Sequence, residues 1–389
     1  MVSTKPRMRW APVLLALGAA GGACVIDPGD SSGRRPRPDA QWRPSGSDAA
    51  PDGGGPGDAG ADGVWDGSLP TDCPLGPADE STELRCTGLY ADWERKALAP
   101  GVRAYDPGLH LWSDGAEKTR WIYLPPGTQI DTSDMDEWTF PYGTKLWKEF
   151  AVGGNRIETR MLWKRPASAI GGWYLTTYRW SADGSRADEL TTGEANADGH
   201  GYQVPAQSLC VQCHAGRRDM VMGFEAVSLA SPGAGGLAMP ALLTQKLLSA
   251  PPTSALTIPG DAATTAALGY LHANCGTACH NRGGGEASSI GFFMRLDVTT
   301  LGSVQTTDAW RTGMNVAAYF AVPAVEQAKI FAPCSPQASA AYYRMSVRDG
   351  VNTPYIGSQM PPIASHLSDP NGLAIVAAWL NGQPGCQAP

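Results

Sequence analysis

Basic residues are the minority charge in this chain. Lysine and arginine number 30 against 37 aspartates and glutamates, which leaves a net charge of −7 and a pI near 5.4. Without a basic surplus the surface cannot supply the phosphate contacts that hold a nucleic-acid backbone, so no nucleic-acid partner is expected. Long apolar runs are also missing. A spanning helix needs ~20 apolar residues, and no stretch comes near that. The apolar segment Ala11 to Ala20 is too short. No Ser/His/Asp arrangement and no His-Glu-x-x-His pair stands out, and Gly283-Gly284-Gly285 lacks the flanks of a phosphate loop and reads as a turn. Histidine is scarce, with six in 389 residues.

What is abundant is glycine (47) and proline (32), and much of it lies near the start. Residues 1–24 read as a targeting segment. Lys5, Arg7 and Arg9 precede the apolar run, and Gly21-Gly22-Ala23-Cys24 places a cysteine after small residues. This is similar to a bacterial lipoprotein signal, with Cys24 as the residue to be lipidated; Gly21 stands where a leucine is usual. An ordinary cleaved secretory signal is the alternative, and either reading exports the protein to the periplasm or, as a lipoprotein, to the outer membrane. Residues 25–69 are Gly, Pro, Asp, Ala and Ser with almost no aliphatic side chains, so they read as a disordered tether spanning roughly 35–40 Å. Asp52, Asp58, Asp62 and Asp66 fall in no calcium-binding repeat and read as solvated linker charge.

Residues 70–204 carry strand signals. Seven of the 13 tryptophans lie between Trp112 and Trp180. Strands are expected over Thr119–Leu124, Lys145–Val152, Arg156–Trp163 and Gly172–Trp180, with Gly153-Gly154-Asn155 as a tight hairpin and Asp183-Gly184 as another turn. An antiparallel sandwich or small barrel is expected, its tryptophans forming a core and a face over the second half. From Gly201 the pattern changes to alanine-rich helical periodicity. Helices are expected over Leu237–Ser249, over Ala262–His272 with Asp261 as cap, and over Leu373–Leu380 with Asp369 as cap, Pro370 in the first turn and Gly382 as stop. Trp379 is placed to pack on the Ala262–His272 helix. The fold class expected is α+β and multidomain: an antiparallel β-rich domain, then a mostly helical region with a first segment over 205–260 and a domain over 261–389.

The chemistry lies in the second half. Cys210-Val211-Gln212-Cys213-His214 is the attachment sequence of c-type haem, in which two thiols add to the two vinyl groups of one porphyrin and the adjacent imidazole takes the iron. With 9 Cys and 6 His in the chain, roughly 0.003 such matches arise by chance. Asn274-Cys275-Gly276-Thr277-Ala278-Cys279-His280 is a second copy with one extra residue between the thiols. Its alternative is a local Cys275–Cys279 disulfide or a pair of thiols that lost its haem. With these four and Cys24 set aside, Cys73–Cys86 and Cys334–Cys386 remain as disulfide pairs in an exported chain. Gln359-Met360-Pro361-Pro362 then presents a thioether just before the last helix.

From Cys73 to its end the chain resembles a family of exported dihaem c-type cytochromes. The resemblance rests on Leu111-Trp112-Ser113-Asp114-Gly115-Ala116-Glu117-Lys118, Leu124-Pro125-Pro126-Gly127-Thr128, Phe140-Pro141-Tyr142-Gly143-Thr144-Lys145 and Glu158-Thr159-Arg160. The second half adds the Cys210 motif, Tyr270-Leu271-His272-Ala273-Asn274-Cys275 and Met360-Pro361-Pro362. The three-residue gap at Cys275–Cys279 departs from the family, which usually has two. The resemblance implies two covalent haems c, with His214 and His280 as proximal iron ligands and Met360 as the sixth ligand of the second, in the class I arrangement of Met-Pro before the final helix. The sixth ligand of the first haem stays open among Met220, Met222, Met239, His200 and His272. His110 and His366 read as surface or satisfied core histidines.

The expected function is electron transfer between redox partner proteins, with the membrane reached only through the lipid anchor. His/Met ligation leaves iron no open position, which favours an electron carrier over an enzyme. A dihaem peroxidase is the rival, kept open by the missing ligand at the first haem. A binding module with a vestigial haem half is the third reading, supported only by the extra residue at Cys275–Cys279.

Overall fold

The computed structural model describes residues 72–76, 80–166, 172–199, 201–353 and 357–386, all within the unit Asp62–Pro389. The signal, Cys24, the whole tether over 25–69 and His200 lie outside the described residues.

Seven strands form one antiparallel sheet. In chain order they are β3 (Val102–Asp106), β4 (Glu117–Tyr123), β5 (Lys145–Val152), β6 (Asn155–Lys164), β7 (Trp173–Trp180), β8 (Ala187–Glu189) and β9 (Gly235–Gly236), with spatial order β8-β7-β6-β5-β4-β3-β9. A two-stranded ribbon, β1 (Tyr90–Asp92) with β2 (Ala97–Leu98), precedes them. The turn between β5 and β6 is the two-residue Gly153-Gly154 loop, with φ of +57° and +80°. Two positive φ values give the turn whose twist matches the strands it joins, and glycine adopts them without strain.

The expected sandwich or barrel is a single sheet among the described residues. Each face is covered by a segment that is not sheet. On one face Trp121, Trp147, Met161 and Tyr178 pack under Leu84, Leu89 and Tyr90 of the leading segment. On the other, the cross-strand row Ile122, Leu146, Leu162 and Leu175 packs against Met220, Val221, Phe224, Met239 and Leu242. The segment that covers this second face closes back on the sheet edge, where β9 pairs with β3.

Helices follow: α1 (Cys210–His214), α2 (Ala226–Ala230), α3 (Met239–Thr244), α4 (Ala262–Leu271), α5 (Asp308–Gly313), α6 (Ala340–Ser346) and α7 (Pro370–Asn381). The structure is therefore mixed α and β. The helix expected over Leu237–Ser249 is shorter, because Lys246 sits at φ +54° and ends it. The Asp261 carboxylate accepts from Thr264 N at 2.8 Å, and Asp369 caps α7 through Asn371 N at 3.0 Å. Such caps contribute about 1 kcal/mol each. Trp379 of α7 shares a buried cluster with Ala267, Leu268 and Leu271 of α4, the packing expected of it. The two helices approach closely at Gly372, where a side chain would collide with the Tyr270 ring.

Candidate functional site

The first motif packs on the sheet face that carries Ile122, Leu146 and Leu175. Gln207 anchors its start, donating Nε2 to Leu175 O of β7 at 2.8 Å. Cys210, Cys213 and His214 then share the single turn α1, where a spacing of three puts both thiols on one side. His214 Nδ1 donates to the Met220 carbonyl at 2.6 Å. That bond fixes the tautomer and leaves the Nε2 lone pair for a metal. Burial lowers the His214 pKa to about 4, so the ring is neutral. It nonetheless retains partly exposed surface. The loop after it is held by Asp219, a buried carboxylate that accepts from Lys164 Nζ at 2.6 Å, from Phe140 N at 2.6 Å and from Trp173 Nε1 at 3.0 Å.

The second motif begins where α4 ends. His272–Gly276 is a π-helical turn, closed by Thr277 N to His272 O at 2.9 Å. His280 N closes another five-residue step onto Cys275 O at 2.9 Å. These wide turns take one more residue per turn than an α-helix. The three residues between Cys275 and Cys279 lie within the second of these steps. His280 is 8 % exposed and its Nδ1 donates to Phe292 O at 3.1 Å, again leaving Nε2 free. Burial, together with the Arg344 charge, lowers the His280 pKa. Burial pushes the Cys275 thiol up to about 12 and Cys279 up to about 11, and raises Cys210 and Cys213 as well. All four are therefore neutral thiols rather than thiolates.

The two motifs meet. The α-carbon of Gly216 lies on the carbonyl of Ala278, where a Cβ would overlap the oxygen. Cys213 is near enough to Cys279 for one thiolate to disfavour the other. A buried ion network fixes the junction. Arg217 and Arg295 both engage Glu137, Arg217 Nε at 3.5 Å, and both donate to the carbonyl of Asp136. Glu225 caps α2 through Val227 N and Ser228 N and also pairs with His272 Nε2 at 3.2 Å.

The distal candidates separate. His272 is fully buried with both ring nitrogens engaged, Nε2 by Glu225 and Nδ1 by Leu296 N at 2.9 Å, so it has no lone pair to offer a metal. Met220 and Met239 are 5 % exposed within the core under the sheet, and the Met220 carbonyl stands behind the His214 ring. Met222 is only partly buried. Met360 is also partly exposed, and its N bonds Arg344 O at 2.8 Å, the residue whose charge reaches His280. His110 pairs with Asp106 at 3.3 Å and His366 with Gln203 at 3.1 Å, both exposed as expected.

One motif without an evident chemical role acquires a structural one. Trp112 N donates to Asn274 Oδ1 at 2.6 Å, and Trp112 Nε1 donates to Leu367 O at 3.0 Å. Asp114 accepts from the backbone N of His366 at 2.8 Å and of Leu367 at 3.0 Å. The Leu111–Lys118 segment thus ties the residue before Cys275 to the loop after Met360.

Cys73–Cys86 and Cys334–Cys386 are disulfides, with S–S distances of 2.01 and 1.99 Å, whereas Cys210, Cys213, Cys275 and Cys279 are free. Among the described residues no three His, Cys, Asp or Glu side chains converge as a bare-ion site. A donor set of one imidazole and two neutral thiols fits a metal that brings its own equatorial nitrogens. Comparison of the chain with protein-family models, curated proteins and solved structures finds no match. No helix among the described residues is long and apolar enough to cross a membrane.

The residues that sequence reasoning passed over are charged ones on the sheet's inner face. Lys148 stands between Leu146 and Phe150 in the alternation of β5, and Arg160 holds the same place before Leu162 in β6. A cation at an inward position of a strand was the available signal.

Proposed function

We propose that this chain is an exported dihaem cytochrome c that carries electrons between partner proteins, with a β-rich part followed by a cytochrome c-like helical part and a lipid anchor at Cys24. Cys210 and Cys213 would hold one haem and Cys275 and Cys279 the other. The bound haem iron supplies reversible one-electron chemistry. The protein's own residues do the rest. His214 and His280 present neutral Nε2 atoms, each oriented by a backbone carbonyl behind the ring. Met360 offers its thioether from a loop pinned by Asp114 and Arg344. Gly216 lets the two attachment segments touch, which suits a two-centre carrier.

One observation carries this reading. Among the described residues four cysteines are crosslinked, and the four that stay free are those that precede a neutral, oriented histidine. The bond from His280 N to Cys275 O, a five-residue step across the longer gap, favours a haem-bearing second motif over the vestigial reading. The peroxidase reading keeps one, because Met220, Met239 and His272 are committed elsewhere and the first haem has no assigned sixth ligand. Redox titration of the mature protein, followed by its spectrum, separates the two. A carrier gives two one-electron steps with a low-spin second haem and no peroxide turnover. A high-spin first haem that turns over peroxide would establish the rival.

A further inference from the structure

Three cations stand side by side across the sheet. Arg120 of β4 pairs in register with Lys148 of β5, and Lys148 with Arg160 of β6. Like charges directly opposite on neighbouring strands repel, so such a row needs anions. Arg120 has Asp106 at 2.8 Å, and Arg160 has both oxygens of Glu158, at 2.6 and 2.9 Å. Lys148 has neither an ion pair nor a hydrogen bond among the described residues; its amine lies 5.0 Å from the Phe150 ring centre. The other charges about it are Lys118 beside Arg120 and Glu158, which is already held by Arg160 and by the Tyr202 hydroxyl at 2.7 Å.

The row faces the first attachment segment. Cys210 and Val211 pack on the apolar row one step along the same face. The charges of Arg160 and Lys148 reach Cys213 and His214. A porphyrin joined to Cys210 and Cys213 has an apolar edge that carries the thioethers and an opposite edge that carries two carboxylates. The face offers the same sequence of surfaces, apolar at Leu146 and Leu162 and cationic at Lys148 and Arg160.

We propose that Lys148, flanked by Arg120 and Arg160, seats a carboxylate of the porphyrin attached at Cys210 and Cys213. The proposal rests on the haem reading above. Burial and the adjacent cations lower the Lys148 pKa well below that of a free lysine, a cost that an anion in front of it removes. A cation beside the porphyrin favours the reduced, less positive state.

The test uses the mature full-length protein. Intact mass first counts the haems in wild type and in Lys148→Met; a wild type without haem ends the haem reading itself. With two haems present in both, Lys148→Met is expected to shift the potential of the Cys210/Cys213 haem downward. That potential also becomes more pH-dependent near neutrality, as the carboxylate loses its partner. The second haem does not change, and Lys148→Arg restores the first. Where Lys148→Met loses only the first haem, retention of the second reports an intact fold, and recovery in Lys148→Arg supports the same seat. An unchanged potential and pH profile in Lys148→Met overturns the proposal. A change of spin state or ligand band would place the amine on iron and overturn it too.

Discussion

Gly216 has no room for a side chain. Its α-carbon rests on the Ala278 carbonyl, so a Cβ there must push apart the segments that carry Cys210–His214 and Cys275–His280. Gly216→Val is expected to lower stability by about 1–3 kcal/mol, read from urea unfolding. It should also cost haem incorporation at both motifs, and unaltered incorporation would show that the contact is dispensable. Met360 makes the opposite kind of claim, because it is partly exposed and Met360→Ala should leave the fold intact. If its thioether binds the second haem, the variant loses the weak sulfur–iron band near the red end of the oxidised spectrum. That haem's potential also falls, since thioether ligation favours ferrous iron. An unchanged spectrum would move the ligand elsewhere.

At the scale of single elements, the loop that carries His214 depends on one carboxylate. Asp219 is 7 % and Lys164 6 % exposed, and each is the other's charge partner. Asp219→Asn keeps one acceptor oxygen, so only one of the bonds from Phe140 N and Trp173 Nε1 survives, and it leaves a buried ammonium uncompensated, which by itself costs about 3–5 kcal/mol. Adding Lys164→Met should recover most of that loss in a double-mutant cycle; recovery of none would mean that the pair is not coupled. Elements were unevenly legible from the sequence. The strands of the hairpin and the capped helices α4 and α7 follow from alternation, Asp caps and the Gly153-Gly154 turn, which are local signals. The number of sheets did not, because alternation marks which residues face inward and not what covers them. The wide turn at His272–Gly276 has no local signal either, since it is held by bonds to segments remote in sequence, such as Leu296 N to His272.

Over the whole molecule, acidic groups at the junction make stability pH-dependent. Burial raises the Asp136 pKa to about 6 from 3.8. The folded state therefore holds a proton that the unfolded state releases. The stability due to this group is complete below about pH 4 and is lost as pH rises through 6. Asp136→Asn retains the acceptor for Val298 N and should flatten that decline relative to wild type in unfolding curves between pH 4 and 7. The disulfide Cys334–Cys386, with 52 residues of separation, encloses Met360 and α7. A closure of this size contributes up to about 4 kcal/mol in the chain-entropy model, so Cys334→Ser with Cys386→Ser should lower the melting temperature. The Cys210 and Cys275 motifs stand out in the sequence because the covalent attachment proposed for them demands fixed spacing. The cation row at Lys148 and the Asp114 clamp do not, because the residues beside them lie on other strands or some 250 residues away.

The central claim is two covalent haems in contact-sharing segments, and intact mass of the mature protein tests it most directly. The account predicts the mass of the processed chain plus two haems. Cys210→Ala with Cys213→Ala should remove one, Cys275→Ala with Cys279→Ala the other, and all four together both. A wild-type mass with no haem, or with one that survives the Cys210/Cys213 double substitution, would contradict it.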